Sequence, residues 1–100
     1  MITIVIPSIS TEHAVGTAKD ALIACSHRAH EAIVVIDGGS EDRDEYVANN
    51  IRLVSYKGLK GSYFARNVGA SLVSTDYILF MDDGVKIITL HGLCLQPNLV

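Results

Sequence analysis

The 100-residue sequence predicts an α/β fold, a three-layer αβα domain around a mostly parallel sheet. Three observations carry that expectation. Short β-branched runs alternate with segments of helical period along the chain. The runs are apolar at successive positions, as strands covered on both faces require. Pro7, Asp37-Gly38-Gly39 and Asp82-Asp83-Gly84 close three of those runs with residues that stop strands.

Taken in order, Ile2 to Ile6 is a β-branched run stopped by Pro7, which has no N–H for a ladder. Ser10, Thr11 and Glu12 form a helix start. Val15, Ala18, Leu22 and Cys25 then place one apolar stripe on that helix. Ile33 to Ile36 reads as a second strand, ended by Asp37-Gly38-Gly39-Ser40. Ser40 is expected to cap a short helix reaching about Asn49. Glu41, Asp42, Asp44 and Glu45 suit the positive end of that helix and make it a poor phosphate site. Ile51 to Ser55 reads as a third strand and Lys57 to Gly61 as a basic loop. Ser62 is expected to cap a helix with Phe64, Ala65, Val68 and Leu72 on its inner side. Tyr77 to Met81 reads as the fourth strand.

Right-handed crossovers between these four strands give the order 3-2-1-4. The order reverses between strands 1 and 4, and open α/β sheets bind ligands beyond the strand C-terminal ends at such a reversal. Ser8, Asp37, Asp82 and Asp83 all follow or end strands, so they are expected to converge on one crevice.

Composition narrows the function. Eight Lys plus Arg against eleven Asp plus Glu leave a net charge of −3, so a general nucleic-acid binder is disfavoured. The charge is uneven: residues 56–75 hold Lys57, Lys60 and Arg66 and no acid, while acids dominate on either side. No apolar run approaches the roughly 18 residues of a membrane span. No basic stretch precedes the apolar N-terminus, so no secretory leader is expected and a cytoplasmic location is the default. Cys25 and Cys94 form no Cys-x-x-Cys, and Cys25 is read as a buried, inert thiol. His27 and His30 are three apart, but with no third ligand they read as surface histidines.

The segment from Lys57 to Asn67 places two glycines and three cations around a helix N-terminus, an arrangement that favours an anion. It lacks the Gly-Lys-Ser/Thr of a Walker loop, and residues 7–12 lack the Gly-x-Gly-x-x-Gly of a dinucleotide fold. The adjacent carboxylates Asp82 and Asp83 would repel unless a cation, or a lysine such as Lys86, stood nearby. Oxygen ligands of this kind suit Mg²⁺ or Mn²⁺.

Four motifs in order, Ile-Val-Ile-Pro-Ser (4–8), Ile-Val-Val-Ile-Asp-Gly-Gly-Ser-Glu-Asp (33–42), Gly-Ser-Tyr-Phe-Ala-Arg-Asn-Val-Gly-Ala (61–70) and Asp-Tyr-Ile-Leu-Phe-Met-Asp-Asp (76–83), resemble the nucleotide-sugar-binding half of family 2 glycosyltransferases. That resemblance implies the Rossmann-like GT-A fold and an inverting sugar transfer from a nucleotide-diphosphate donor, here expected to be UDP-linked. It also implies Mg²⁺ or Mn²⁺ on the diphosphate. Carried over by position, Ser8 lies against the nucleoside and Asp37 near the base. Arg66 holds the nucleotide, Asn67 supports the loop, Asp82 lies near the ribose, and Asp83 holds the metal. The sequence departs from the pattern at Gly38, where many members have a second carboxylate, and at Gly84, the third position of Asp-x-Asp.

The whole chain, residues 1–100, reads as one domain, with 85–100 an atypical or truncated tail that carries no recognisable motif. The family's catalytic base belongs to an acceptor-binding half, and no residue here is assigned that role. Exposed apolar surface beside strand 4 is expected, and with it self-association into a homo-oligomer. The rival reading is a non-catalytic remnant acting as a nucleotide-binding or interaction module.

Overall fold

The computed structural model describes residues 1–25, 28–83 and the backbone of 96–97. His27, Gly84, Lys86 and Cys94 lie outside the described residues, as does the remainder of the tail. The elements run β1 (Ile2–Ser8), α1 (Thr11–Cys25), β2 (Ala29–Gly39), β3 (Arg43–Ala48), β4 (Ile51–Lys57), α2 (Ser62–Ser71), β5 (Tyr77–Phe80) and β6 (Gln96–Pro97).

The strands form one sheet in the order β3-β4-β2-β1-β5-β6. Its centre, β4-β2-β1-β5, is parallel throughout and has the expected 3-2-1-4 order. Two antiparallel edge strands extend it, β3 on β4 and the short β6 on β5. The continuous apolar runs resolve into two faces because successive side chains on a strand point to opposite sides. Ile4, Ile6, Ala32, Val34 and Leu53 pack with Ala14, Ala18 and Leu22 of α1 on one face. Val5, Ile33, Val35, Val54 and Ile78 pack with Ala65 of α2 on the other. Each fully buried aliphatic side chain contributes about 1.5–3 kcal/mol, so the sheet centre is the main source of stability.

Helix α1 begins as expected. The Ser10 carbonyl accepts from the Ala14 N–H at 3.0 Å, and its hydroxyl accepts from the His13 N–H at 3.4 Å. The buried stripe is Ala14, Thr17, Ala18, Ala21, Leu22 and Cys25, with Val15 only half-buried. It therefore includes one polar residue, Thr17. Burial raises the Cys25 thiol pKa, opposed by nearby Arg28, in keeping with an unreactive thiol.

Three local expectations are corrected. Residues 43–48 form β3 rather than part of a helix. The Asn49-Asn50 turn joins β3 to β4 as a hairpin, and Asn favours the tight turn that hairpins need. Across that hairpin Arg52 donates two hydrogen bonds of 2.8 Å to the Asp44 carboxylate, so Asp44 meets a cross-strand partner, not a helix dipole. Secondly, Gly61, not Ser62, is the N-cap of α2, at φ 94° and without a side-chain cap. Phe64 lies outward at 40% exposure; Ala65 and Gly69 are the buried residues of the inner face, and Val68 and Leu72 pack half-buried against the same core, as expected. Thirdly, Ile78 and Leu79 are buried, so exposed apolar surface on β5 reduces to Tyr77.

Gly69 sets how closely α2 approaches the sheet. A Cβ there would stand 2.4 Å from Val5 Cγ1 and 3.2 Å from Val35 Cγ2.

Candidate functional site

The C-terminal ends of β1, β2 and β5 and the start of α2 enclose a cleft of about 310 Å³. Pro7, Ser8 and Ile9 form one wall, and Asp82 and Asp83 form another. Asp37, Ser62 and Ala65 complete it. Strand-end polar residues far apart in sequence thus converge where the strand order reverses. Arg66 and Asn67 do not line this cleft.

Asp37 has an unforeseen set of partners. Its Oδ1 accepts from the Tyr56 hydroxyl at 2.7 Å and the Lys60 N–H at 2.8 Å. Its Oδ2 accepts from the Gly61 N–H at 2.9 Å. The Lys60 N–H, then the Tyr56 hydroxyl, hold the Asp37 carboxyl below its ordinary pKa, against the opposing effect of burial. Burial first, and then Asp37, push the Tyr56 phenol well above its ordinary value. The backbone N–H groups of Lys60 and Gly61, just ahead of the first turn of α2, therefore already hold a carboxylate of the chain itself. That carboxylate ties the 57–61 loop to β2. Asn67, expected to support the loop, is exposed on α2.

Gly38 also has a physical reason to lack the second carboxylate. Its φ is 81°, and a Cβ there would lie 3.0 Å from Leu59 Cγ of the overlying loop.

The two carboxylates after β5 diverge. Asp82 Oδ1 accepts from Arg66 Nη2 at 3.2 Å, reaching toward α2. Asp83 turns toward α1: its Oδ2 accepts from the Ser8 hydroxyl at 2.7 Å, and its Oδ1 accepts from the Thr17 hydroxyl at 3.0 Å. His13 Nδ1 stands 3.8 Å from Asp83 Oδ2. The repulsion expected between neighbouring carboxylates is relieved by this divergence and by local donors. Arg66 further packs over Phe80, 5.9 Å from its ring centroid. Lys60 sits 4.8 Å from the Phe64 centroid and 5.5 Å from that of Tyr56. Of the three cations in the basic segment, two are thus positioned by aromatic rings.

The sequence profile of Glycosyl transferase family 2 matches residues 3–84, most of the chain and all but the first residue of the elements from β1 to β5. The chain belongs to that family. No match is found among curated protein sequences. The family 2 assignment agrees with the four motifs and with the mostly parallel sheet flanked by helices. Among the described residues, no helix is long and apolar enough to cross a membrane.

Among the described residues of this glycosyltransferase domain, no three His, Cys, Asp or Glu side chains gather as a metal cage. A cation shared with a diphosphate draws most of its oxygens from the ligand and water, and needs few from protein. Asp83 fits that narrower part: it lines the cleft, and among the described residues each of its oxygens accepts one hydrogen bond, which leaves a second lone pair. Tyr56 and Thr17 were missed in the sequence. Tyr56 follows the third strand's apolar run and so stands at the cleft end of the sheet. Thr17 interrupts an otherwise apolar stripe.

Proposed function

We propose that this family 2 domain holds the nucleotide-diphosphate sugar donor, a UDP-sugar, in the cleft at the ends of β1 and β5. The observation that carries the reading is the convergence of Ser8, Asp37, Asp82 and Asp83 on one cleft. Ser8 and Asp37 take the nucleoside side and Asp82 the ribose. The Arg66 guanidinium, held beside Asp82, supplies positive charge at the diphosphate. Asp83 provides the protein oxygen for a Mg²⁺ or Mn²⁺ ion bound with the diphosphate. Such an ion, when bound, neutralises charge on the departing nucleotide.

Calorimetric titration of UDP into the protein, with Mn²⁺ and with EDTA, tests this. Saturable heat with UDP, stronger in Mn²⁺, is the expected result. No heat and no amide chemical-shift change at millimolar UDP would sink the donor reading. Arg66→Ala should weaken UDP binding by about tenfold, the scale of one charge-assisted contact.

A further inference from the structure

We infer that Thr17 is a positioning residue for the nucleotide cleft, acting through Asp83. The inference rests on the donor-binding reading above and adds a residue of α1 to it. Thr17 is 8% exposed and lies within the helix stripe that packs on the sheet, where the other members are apolar. Its hydroxyl donates to Asp83 Oδ1 at 3.0 Å across a separation of 66 residues. Ser8, at the end of β1, donates to the other oxygen at 2.7 Å. The carboxylate is therefore held from two elements, α1 and β1, and its rotation about χ2 is fixed.

This arrangement has a chemical purpose that packing alone would not need. A buried helix position is filled at lower cost by Ala or Val than by a residue with a hydroxyl to satisfy. Asp83 lies beyond the end of β5 and has no strand partner among the described residues. Without the two hydroxyls it would be free to rotate beside Asp82. With them, and with no other hydrogen bond to Asp83 among the described residues, each oxygen keeps one lone pair while the carboxylate remains apart from Asp82. Partners behind a metal-binding carboxylate act in this way, by orienting it.

The test compares UDP affinity in Mn²⁺ and in EDTA for the unaltered chain, Thr17→Val and Thr17→Ser. In Thr17→Val the gain in affinity from Mn²⁺ should fall by about tenfold or more, while binding in EDTA stays unchanged. Thr17→Ser keeps the hydroxyl and should restore most of the gain. A merely structural role would lower the melting temperature of Thr17→Val without changing the Mn²⁺-to-EDTA ratio, and that result overturns the inference. Should the valine variant not fold, Thr17→Ala, which suits a helix, is measured in its place with the same two expected outcomes. Absence of UDP binding by the unaltered chain overturns the donor reading and this inference together. UDP binding with a Mn²⁺ gain unaffected by either Thr17 variant overturns this inference alone.

Discussion

Asp37 carries more of the local structure than a strand-ending residue ordinarily does. It accepts hydrogen bonds from Tyr56, Lys60 and Gly61, and so joins β2, the end of β4 and the loop before α2. Asp37→Ala leaves two backbone N–H groups and a phenol without their acceptor. We expect a loss of about 1–3 kcal/mol, the scale for removing a charged acceptor from part-buried donors, read by urea denaturation. Tyr56→Phe removes one of the three bonds and should cost about 1 kcal/mol. Gly38 belongs at this scale too, since a Cβ there would lie 3.0 Å from Leu59 Cγ.

At the scale of elements, α2 is held close to the sheet by the absence of a side chain. Gly69→Ala would gain up to about 1 kcal/mol in helix propensity. The added methyl would meet Val5 Cγ1 at 2.4 Å, and Val5 is fully buried with nowhere to move. Overpacking of this kind costs about 1–3 kcal/mol, so the clash wins and the variant should melt lower. Gly16 in α1 is the natural control, since nothing lies within 4 Å of its Cβ position. Gly16→Ala should therefore raise stability by up to about 1 kcal/mol. Thermal melting of the two variants side by side checks both signs. The β3–β4 hairpin shows how an element was misread. Four acids near Ser40 imitate a helix start, whereas the deciding signal is the two-residue turn Asn49-Asn50 with Tyr46 and Val47 before it. The edge strand carries Arg43, paired with Glu45, and Asp44, paired with Arg52, and such charges discourage pairing with another chain.

At the scale of the whole molecule, two carboxylates couple stability to acid. The Lys60 N–H and Tyr56 hydroxyl depress the Asp37 pKa, and the Arg52 guanidinium depresses that of Asp44. Unfolding returns both toward about 3.9, so in acid the unfolded chain binds protons more readily than the folded one. The stabilisation is complete above about pH 5 and is lost as pH falls through the lower folded values. Denaturation midpoints measured from pH 2 to 6 should fall steeply below about pH 4. Asp37→Asn should flatten that fall, and an unchanged slope would remove Asp37 from the account. The larger part of the effect should belong to Asp37, because the Asp44 side chain is 51% exposed and its pair with Arg52 is screened by water.

The sheet's centre was legible because burial on both faces forces successive apolar residues, a pattern written along Ile2 to Ile6 and Ile33 to Ile36. The cleft's location followed, since strand order and crossover hand fix where Ser8, Asp37, Asp82 and Asp83 meet. Their partners were not legible. Whether Asp37 faces a ligand or the N–H groups of Lys60 and Gly61 depends on how the 57–61 loop folds back over β2. Whether Asp83 stands beside Asp82 or turns to Thr17 depends on the distance between α1 and the end of β5. Sequence by itself determined the family, the parallel core and the convergence of the strand-end residues Ser8, Asp37, Asp82 and Asp83, because each is set by local chemistry and strand order. Only the tertiary structure decided which donor each carboxylate holds, because a hydrogen bond extends about 3 Å and reads no sequence separation.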